Sequence, residues 1–188
     1  MHCLDNDSDR KLGERWERQF CLLAAGMGKV FTPMQIGRDK SAQAWTKNKD
    51  DSWSHWTLPD ITVWTSPGEH HEIKHKAPTN NGRFGLEVYR FNALLIFMNI
   101  TNQQVLYTIH NHALNGGRDN TDSHIEHWFT ASISDLDNKW NYIQQNGVSW
   151  INGTKKANIP IYYWNISFWK PLKDYWITVA ETIDEVYF

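Results

Sequence analysis

Residues 58–76, LPDITVWTSPGEHHEIKHK, constrain this chain more than any other stretch. Asp60 and Thr62 alternate with Ile61 and Val63, and beyond Ser66-Pro67-Gly68 the pair Glu72 and Lys74 alternates with His71 and Ile73. Alternation of this kind predicts strands. Pro presets φ and Gly accepts φ > 0, so the segment predicts a β-hairpin. A four-residue loop over 66–69 would pair Val63 with Glu72 and Ile61 with Lys74, mixing apolar and charged side chains on one face. A three-residue loop over 66–68 pairs Thr62 with Glu72 and Asp60 with Lys74, and gathers Ile61, Val63 and Ile73 on the other face. Because a one-residue slip turns a strand's whole apolar set over, the patterning selects the second register. Gly68 suits the left-handed position that closes such a loop. The expected product is an aliphatic wall with Asp60, Glu72 and Lys74 clustered in front of it.

Two neighbouring carboxylates repel unless a cation lies between them. A hard divalent ion with oxygen ligands is the natural candidate. A lysine beside it can stabilise a developing anion or orient a water. The competing reading is an ordinary ion pair, Lys74 with Asp60, on an exposed hairpin.

The 188 residues suit one domain, with a core at 10–113 and an extension at 119–188 packed on it. No apolar run is long enough for a transmembrane helix. The polar opening, MHCLDNDSDRKLGE, does not read as a signal peptide. Cys3 and Cys21 make no disulfide framework, so the expected setting is a reducing cytoplasm with no membrane association. The net charge of −2 gives no support for a strongly basic nucleic-acid binder, yet it leaves room for a local basic groove.

In chain order, 1–9 reads as a loose arm and Asp9 as the cap of a helix over 10–27, with Trp16, Phe20, Leu23, Ala24 and Met27 on its buried face. Glu17 flanks that stripe and can point into a neighbouring cleft; a solvated helix face is the plain alternative. Residues 29–34 predict a short strand. Residues 35–55 are polar and irregular, with Arg38, Lys40, Lys47 and Lys49 among Trp45 and Trp53, a mixture that can contact phosphates and stack on bases or simply decorate a loop. After a loop at 77–85, residues 86–99 predict a helix and 104–109 a strand. Helix, strand, hairpin, helix, strand is the order of an α/β sandwich with a mixed sheet. Beyond His127 the composition turns to Trp, Tyr and Asn; 128–133 and 159–169 read as strands, and 134–145 as a short helix capped by Ser134.

Gly13-x-x-x-Glu17-Arg18, then Gly28 and a short strand, then Pro59-Asp60-Ile61, then Glu72-Ile73-Lys74, then a helix and a strand, together resemble the PD-(D/E)XK nuclease superfamily, and within it the small Holliday-junction-resolvase-like and phage endonucleases. The resemblance covers about residues 13–110. It implies a restriction-endonuclease-like core, a mixed central sheet flanked by helices, with the aromatic-rich C-terminal extension added. It implies a Mg²⁺- or Mn²⁺-dependent endodeoxyribonuclease whose catalytic residues are Glu17, Asp60, Glu72 and Lys74. Asp60, Glu72 and the Ile73 carbonyl would be metal ligands, with Glu17 completing the site and Glu14 as its fallback. It also implies a homodimer acting on DNA. Such nucleases often carry a Gln on the helix after the Glu-x-Lys strand, where this chain has Tyr89-Arg90; Arg90 would contact the scissile phosphate or pair with Glu87. Lys76, Arg83, Arg90, Tyr89, Lys47 and Lys49 are the candidate DNA contacts.

Other constellations are weaker. His110-x-His112 and His124-x-x-His127 offer four zinc ligands, but no Cys accompanies them. His71 and His75 belong behind the sheet with Ile73, and His70 in front with Glu72. Asn115-Gly116-Gly117-Arg118 lacks the ending of a phosphate loop and reads as a turn. Cys21 reads as core. Beside the nuclease stand two other classes: a nucleic-acid-binding or assembly module of the same fold without catalysis, and a zinc-structured interaction protein.

Overall fold

The computed structural model describes residues 6–33, 43–47, 53–57, 59–64, 68–117, 120, 124–140, 142–151 and 154–177, with backbone alone at 6–10, 33, 43–47, 53–57, 149–151 and 154–156. The first helix, α1, is Asn6–Gly26. It begins earlier than expected, which puts Asp7 and Asp9 in its first turn, where acidic residues complement the helix dipole, rather than at its cap. Strands β1 (Val30–Pro33), β4 (Ile61–Trp64), β5 (Glu69–Lys76), β7 (Gln104–Asn111), β8 (Trp128–Ser132) and β11 (Lys170–Pro171) form a six-stranded mixed sheet in the order β1-β4-β5-β7-β8-β11. Only the β5–β7 pair is parallel. Its crossover carries β6 (Arg83–Glu87) and α2 (Val88–Thr101). The expected α/β architecture, a mixed sheet flanked by helices, is thus present.

Each face of the sheet buries its own core. On one face α1 lays Trp16, Phe20 and Ala24 over Ile61, Val63 and Ile73, joined by Leu172 and Trp176 of the helical segment 172–177. On the other, Leu94 and Phe97 of α2 pack on Val105, Tyr107 and Ile109 with Phe84, Leu86 and Trp164. The alternation of β5 and β7 sorts their side chains between these two cores.

Several local expectations give way to long-range pairing. Residues 35–55 contain β2 (Gln43–Lys47), which pairs with β3 (Trp53–Thr57) as an antiparallel ribbon. Arg83, Phe84 and Gly85 belong to β6, not to a loop, because β6 pairs with β10 (Thr154–Asn165); α2 therefore starts at Val88 rather than at residue 86. The helix expected over 134–145 is four residues, α3 (Ile133–Leu136). Its cap is Ser132, whose Oγ accepts from the Ser134 N–H at 3.2 Å, rather than Ser134. Beyond α3 lies β9 (Tyr142–Ile151), which pairs with β10 and completes a three-stranded sheet in the order β6-β10-β9. The C-terminal half thus contributes β8 and β11 to the central sheet and two strands to the second sheet. Among the described residues no helix is long and apolar enough to cross a membrane.

Candidate active site

The hairpin of β4 and β5 sets the site, in a register two residues away from the expected one. Thr62 faces His70 instead of Glu72, and Ile61 faces His71. The Asp60 N–H continues the ladder by donating to the His71 carbonyl at 3.0 Å, so Asp60 stands abreast of Glu72, not of Lys74. A slip of two preserves the face of every side chain, because a strand's side chains repeat every two residues. Ile61, Val63 and Ile73 lie under α1 as expected, and Asp60, Glu72 and Lys74 share the opposite face.

Three charged groups and a fourth from α2 meet there. Glu72 is fully buried and accepts on Oε1 from Lys74 Nζ at 2.5 Å and from Arg90 Nε at 2.9 Å, while its Oε2 accepts from Arg90 Nη2. Asp60, 7 % exposed, places Oδ1 4.0 Å from the same Arg90 Nη2. Its Oδ2 accepts from the Ile73 N–H at 2.7 Å, just where β4 has run out and that amide would lack a partner. Arg90 therefore pairs with Glu72. Its guanidinium is the cation that two adjacent carboxylates require.

The electrostatics of the two acids diverge. Burial, then the charge of Glu72, pushes the Asp60 carboxyl up to about 6, against the pull of Lys74, Arg90 and the Ile73 amide. Burial also acts on Glu72, but Arg90 and Lys74 outweigh it and hold that carboxyl down at about 2. Burial works against the Lys74 ammonium too, yet Glu72 and Asp60 hold it above its ordinary range. Lys74 therefore carries its proton at neutral pH, and its side chain keeps 32 % exposure. The arrangement offers a carboxylate pair, a protonated amine with access to solvent, and a rigid planar cation.

Lys74 opens onto a cavity of about 680 Å³. Glu17 of α1 and Arg83 and Glu87 of β6 line it as well. The structure thus brings Asp60, Glu72, Lys74 and Arg90 into contact, and Glu17 lines the same cavity as Lys74. Glu14, one turn away on α1, does not line it. Lys76 lines the same cavity, but its Nζ donates to the Gly85 carbonyl at 2.7 Å. The Arg83 guanidinium lies 5.9 Å over the Tyr142 ring. Tyr89 is exposed at the start of α2. Lys47 lies on β2, and Lys49 falls outside the described residues.

Three of the described histidines, His70, His71 and His110, are buried. His71 Nδ1 bonds Thr108 Oγ1 at 2.8 Å, and its Nε2 lies 3.3 Å from Glu69 Oε2. His75 and His110 lie side by side under Trp16, whose ring centroid is 4.4 Å and 3.8 Å from theirs. His70 is on the front face as expected, but it is buried, bonded to Thr62 Oγ1 at 2.9 Å and set edge-on to Phe97. Among the described residues no three His, Cys, Asp or Glu side chains are grouped so as to hold a metal, and this includes the four histidines weighed as zinc ligands. Cys21 is buried, and burial, then the charge of Glu17, pushes its thiol up to about 11, in keeping with a core role.

No family model matches the chain, and no characterised protein matches it by sequence. Among solved structures it is similar to Archaeoglobus fulgidus Hjc, a Holliday junction resolvase from an archaeal hyperthermophile, with 11% identity, a TM-score of 0.46, and coverage of 83% of this chain and 90% of that one.

Proposed function

We propose that the chain is a metal-dependent endodeoxyribonuclease that hydrolyses phosphodiester bonds, with branched DNA as its substrate. One observation carries the reading: two buried carboxylates, Asp60 and Glu72, converge on a single locus of positive charge beside a protonated lysine. Burial and the charge of Glu72 oppose the ionisation of Asp60 in that setting. Perturbed carboxylates of this kind are typical of functional sites. The donor set fits a hard divalent cation, for which carboxylate oxygens are the preferred ligands. Asp60 and Glu72 would hold Mg²⁺ or Mn²⁺, with the Ile73 carbonyl as a further donor and Glu17 approaching from α1. When bound, such an ion supplies Lewis-acid polarisation of a phosphoryl oxygen and a more acidic water.

The chain's own residues do the rest. Asp60 is oriented by the Ile73 amide, which fixes one oxygen and leaves Oδ1 to face the site. Lys74, protonated and partly exposed, donates to the charge that develops on the phosphoryl oxygens or orients the attacking water. Arg90 balances Glu72 in the resting state and offers paired N–H donors that match phosphate geometry. The order Glu17, Pro59-Asp60, Glu72-Ile73-Lys74, which resembles PD-(D/E)XK nucleases, supports DNA as the substrate. Tyr89, Arg83, Lys76, Lys47 and Lys49 are the proposed contacts along it. A homodimer belongs to the same reading, because cutting both strands takes two sites.

The paired bonds from Arg90 to Glu72 favour one other reading, in which the guanidinium stands permanently where a metal would and the chain binds nucleic acid without cutting it. Cleavage of four-way-junction, duplex and single-stranded DNA with Mg²⁺, Mn²⁺ or chelator separates the two. The nuclease reading expects metal-dependent cutting, fastest on the junction, and its loss in Asp60→Ala and Lys74→Ala proteins that still unfold cooperatively. Native-rate cutting by Lys74→Ala would refute the assigned site. No cutting of any substrate with either metal would leave the binding module as the answer.

A further inference from the structure

The sheet of β6, β10 and β9 has two unlike faces. Along β10, Tyr162 and Trp164 alternate with Ile161 and Tyr163. Trp164 is buried, Tyr162 packs against the same core, and both meet Phe91 of α2. Ile161 and Tyr163 turn the other way and line the cavity that Lys74 enters, together with Arg83 and Gly85 of β6. The strand pairing sets Tyr163 between Gly85 on one side and Tyr142 on the other. A Cβ on Gly85 would lie 2.7 Å from Tyr163 Cε1 and 3.0 Å from its Cδ1, so the ring comes so close over β6 that a side chain there would displace it. The Tyr163 hydroxyl donates to Gln144 Oε1 of β9 at 2.9 Å, which pins the ring from its other end. Its centroid is 5.9 Å from that of Tyr142, with the planes tilted by 37°. Arg83 reaches across β10 and holds its guanidinium 5.9 Å from the Tyr142 centroid.

This group serves no core. Tyr142 keeps 51% exposure. One exposed ring standing singly needs no account. Here two rings and a guanidinium adjoin, and Tyr163 and Arg83 make them continuous with the cavity. At 5.9 Å the guanidinium is at the outer limit of cation–π contact, so it does not close off the Tyr142 ring. The charges nearby suit a polyanion. Strands β9 and β10 contain no Asp or Glu, and Glu87, the one acid of the three strands, stands at the opposite end of β6 from Arg83. The charge of Glu87 acts on Lys76, which lines the same cavity.

We infer that Tyr142 and Tyr163 form a stacking subsite for an unpaired nucleobase of a DNA strand entering the cavity, with Arg83 neutralising the phosphate beside that base. Aromatic rings next to a cation are what single-stranded nucleic acid requires, because every base has a π-face and every nucleotide a charge. A base inside an intact duplex is already stacked on both sides and has no face to offer. The subsite therefore selects DNA with unpaired nucleotides next to the cavity, such as a fork or an opened branch, over continuous duplex, and it does so without reading sequence. The inference rests on the nuclease reading for DNA as the ligand and deepens it by naming the unpaired nucleotide, but its test needs no cutting.

The test is equilibrium binding, in chelator and across a salt series, to a blunt duplex and to a fork whose single-stranded arms carry 2-aminopurine at successive unpaired positions. The proteins compared are wild type, Tyr142→Ala, Tyr142→Trp, Arg83→Gln and Trp64→Ala, the last removing a similarly exposed ring of β4 that does not line the cavity. Tyr142 is exposed, so its replacement leaves the cores intact. Wild type should prefer the fork by about tenfold, the scale of one stacked base. It should also quench the emission of 2-aminopurine at one position. Tyr142→Ala should lose both the preference and the quenching while binding blunt duplex within about threefold of wild type, and Tyr142→Trp should keep both. An abasic site at the quenched position should weaken wild type by about tenfold and leave Tyr142→Ala unchanged. Arg83→Gln should lower the salt slope on the fork by about 0.7, one phosphate of a single strand. Equal wild-type affinity for fork and duplex would overturn the inference. So would additive losses from Tyr142→Ala and the abasic site, an unchanged slope in Arg83→Gln, or an equal loss in Trp64→Ala. Metal-dependent cutting assayed in parallel keeps the two ideas apart. Fork preference that needs Tyr142 without any cutting sinks the nuclease and keeps the subsite, while cutting by a protein that binds fork and duplex alike does the reverse.

Discussion

Replacing Asp60 by Asn should stabilise the metal-free protein while removing the proposed cleavage. The Asp60 carboxyl stands at about 6 in the folded chain against 3.8 for the free side chain, first because it is buried and second because Glu72 is beside it. Each unit of such a shift is worth about 1.4 kcal/mol, so at pH 7 the ionised Asp60 costs the fold up to about 3 kcal/mol. Asn carries no charge, and its amide oxygen can still accept from the Ile73 N–H. Allowing for the amide's own desolvation, D60N should gain about 1–3 kcal/mol at pH 7. For a chain of this size that is a rise in Tm of roughly 3–10 °C. The pH dependence carries a sharper signature. As pH falls from about 6 towards 4.5, folded Asp60 takes up a proton that the unfolded chain does not, so wild type gains stability over that window. Below about 4.5 the effect reverses, because Glu72, held at about 2 by Arg90 and Lys74, is ionised in the fold and begins to be protonated in the unfolded chain. D60N should lack the gain and keep the loss. Urea unfolding in chelator from pH 4 to 8 reads both. A lower midpoint for D60N at pH 7, together with a wild-type profile that does not improve on mild acidification, would refute the account of Asp60.

Two further perturbations act on neighbouring parts of the molecule. Arg90→Ala leaves the fully buried Glu72 with Lys74 as the cation still bonded to it and should destabilise by about 3–5 kcal/mol in chelator, as breaking a buried pair does; Mg²⁺ should restore part of that loss in thermal melts, and no restoration would argue against a metal locus at Asp60 and Glu72. Trp16→Ala removes the ring that covers His75 and His110 and that meets Trp128 edge-on, so it should cost about 3–5 kcal/mol in denaturant unfolding; a loss under about 1 kcal/mol would mean that α1 is not held to the sheet by this contact.

The part of the site that was legible in the sequence is the part that a strand's period encodes. The faces of Asp60, Glu72 and Lys74 on one side, and of Ile61, Val63 and Ile73 on the other, could be read because apolar and charged residues alternate. The register could not. A two-residue shift leaves every face unchanged, so patterning is blind to it, and the turn decides it. The same limit hid the bonds from Arg90 to Glu72, eighteen residues back in the sequence. Glu87, the neighbour the sequence offered, ends β6, which exists because Arg83–Glu87 pairs with Trp164 and its neighbours far down the chain. Phe84 and Leu86 do alternate there, a weak signal within a stretch that reads locally as a loop running into a helix. The ribbon of β9 and β10 was obscured in the same way. Its tip is polar, its strands are broken by bulges, and its pairing is settled by β6.

The position of Arg90 explains how a site poor in solvent can stay folded without a metal. With Asp60 and Glu72 ionised, Lys74 and Arg90 bring the cluster to neutrality. A divalent ion added to that set would carry it to a surplus of two positive charges in a buried setting, which is costly. In the proposed nuclease reading a phosphodiester would bring negative charge to the same place, and Arg90 could exchange a carboxylate for a phosphate without losing its paired hydrogen bonds. Charge balance would then link ion and DNA, each favouring the other's binding by the same factor. On that logic the guanidinium that satisfies Glu72 in the resting chain is compatible with catalysis. It keeps the two carboxylates together in the resting chain, and a phosphate would compete with Glu72 for its paired donors.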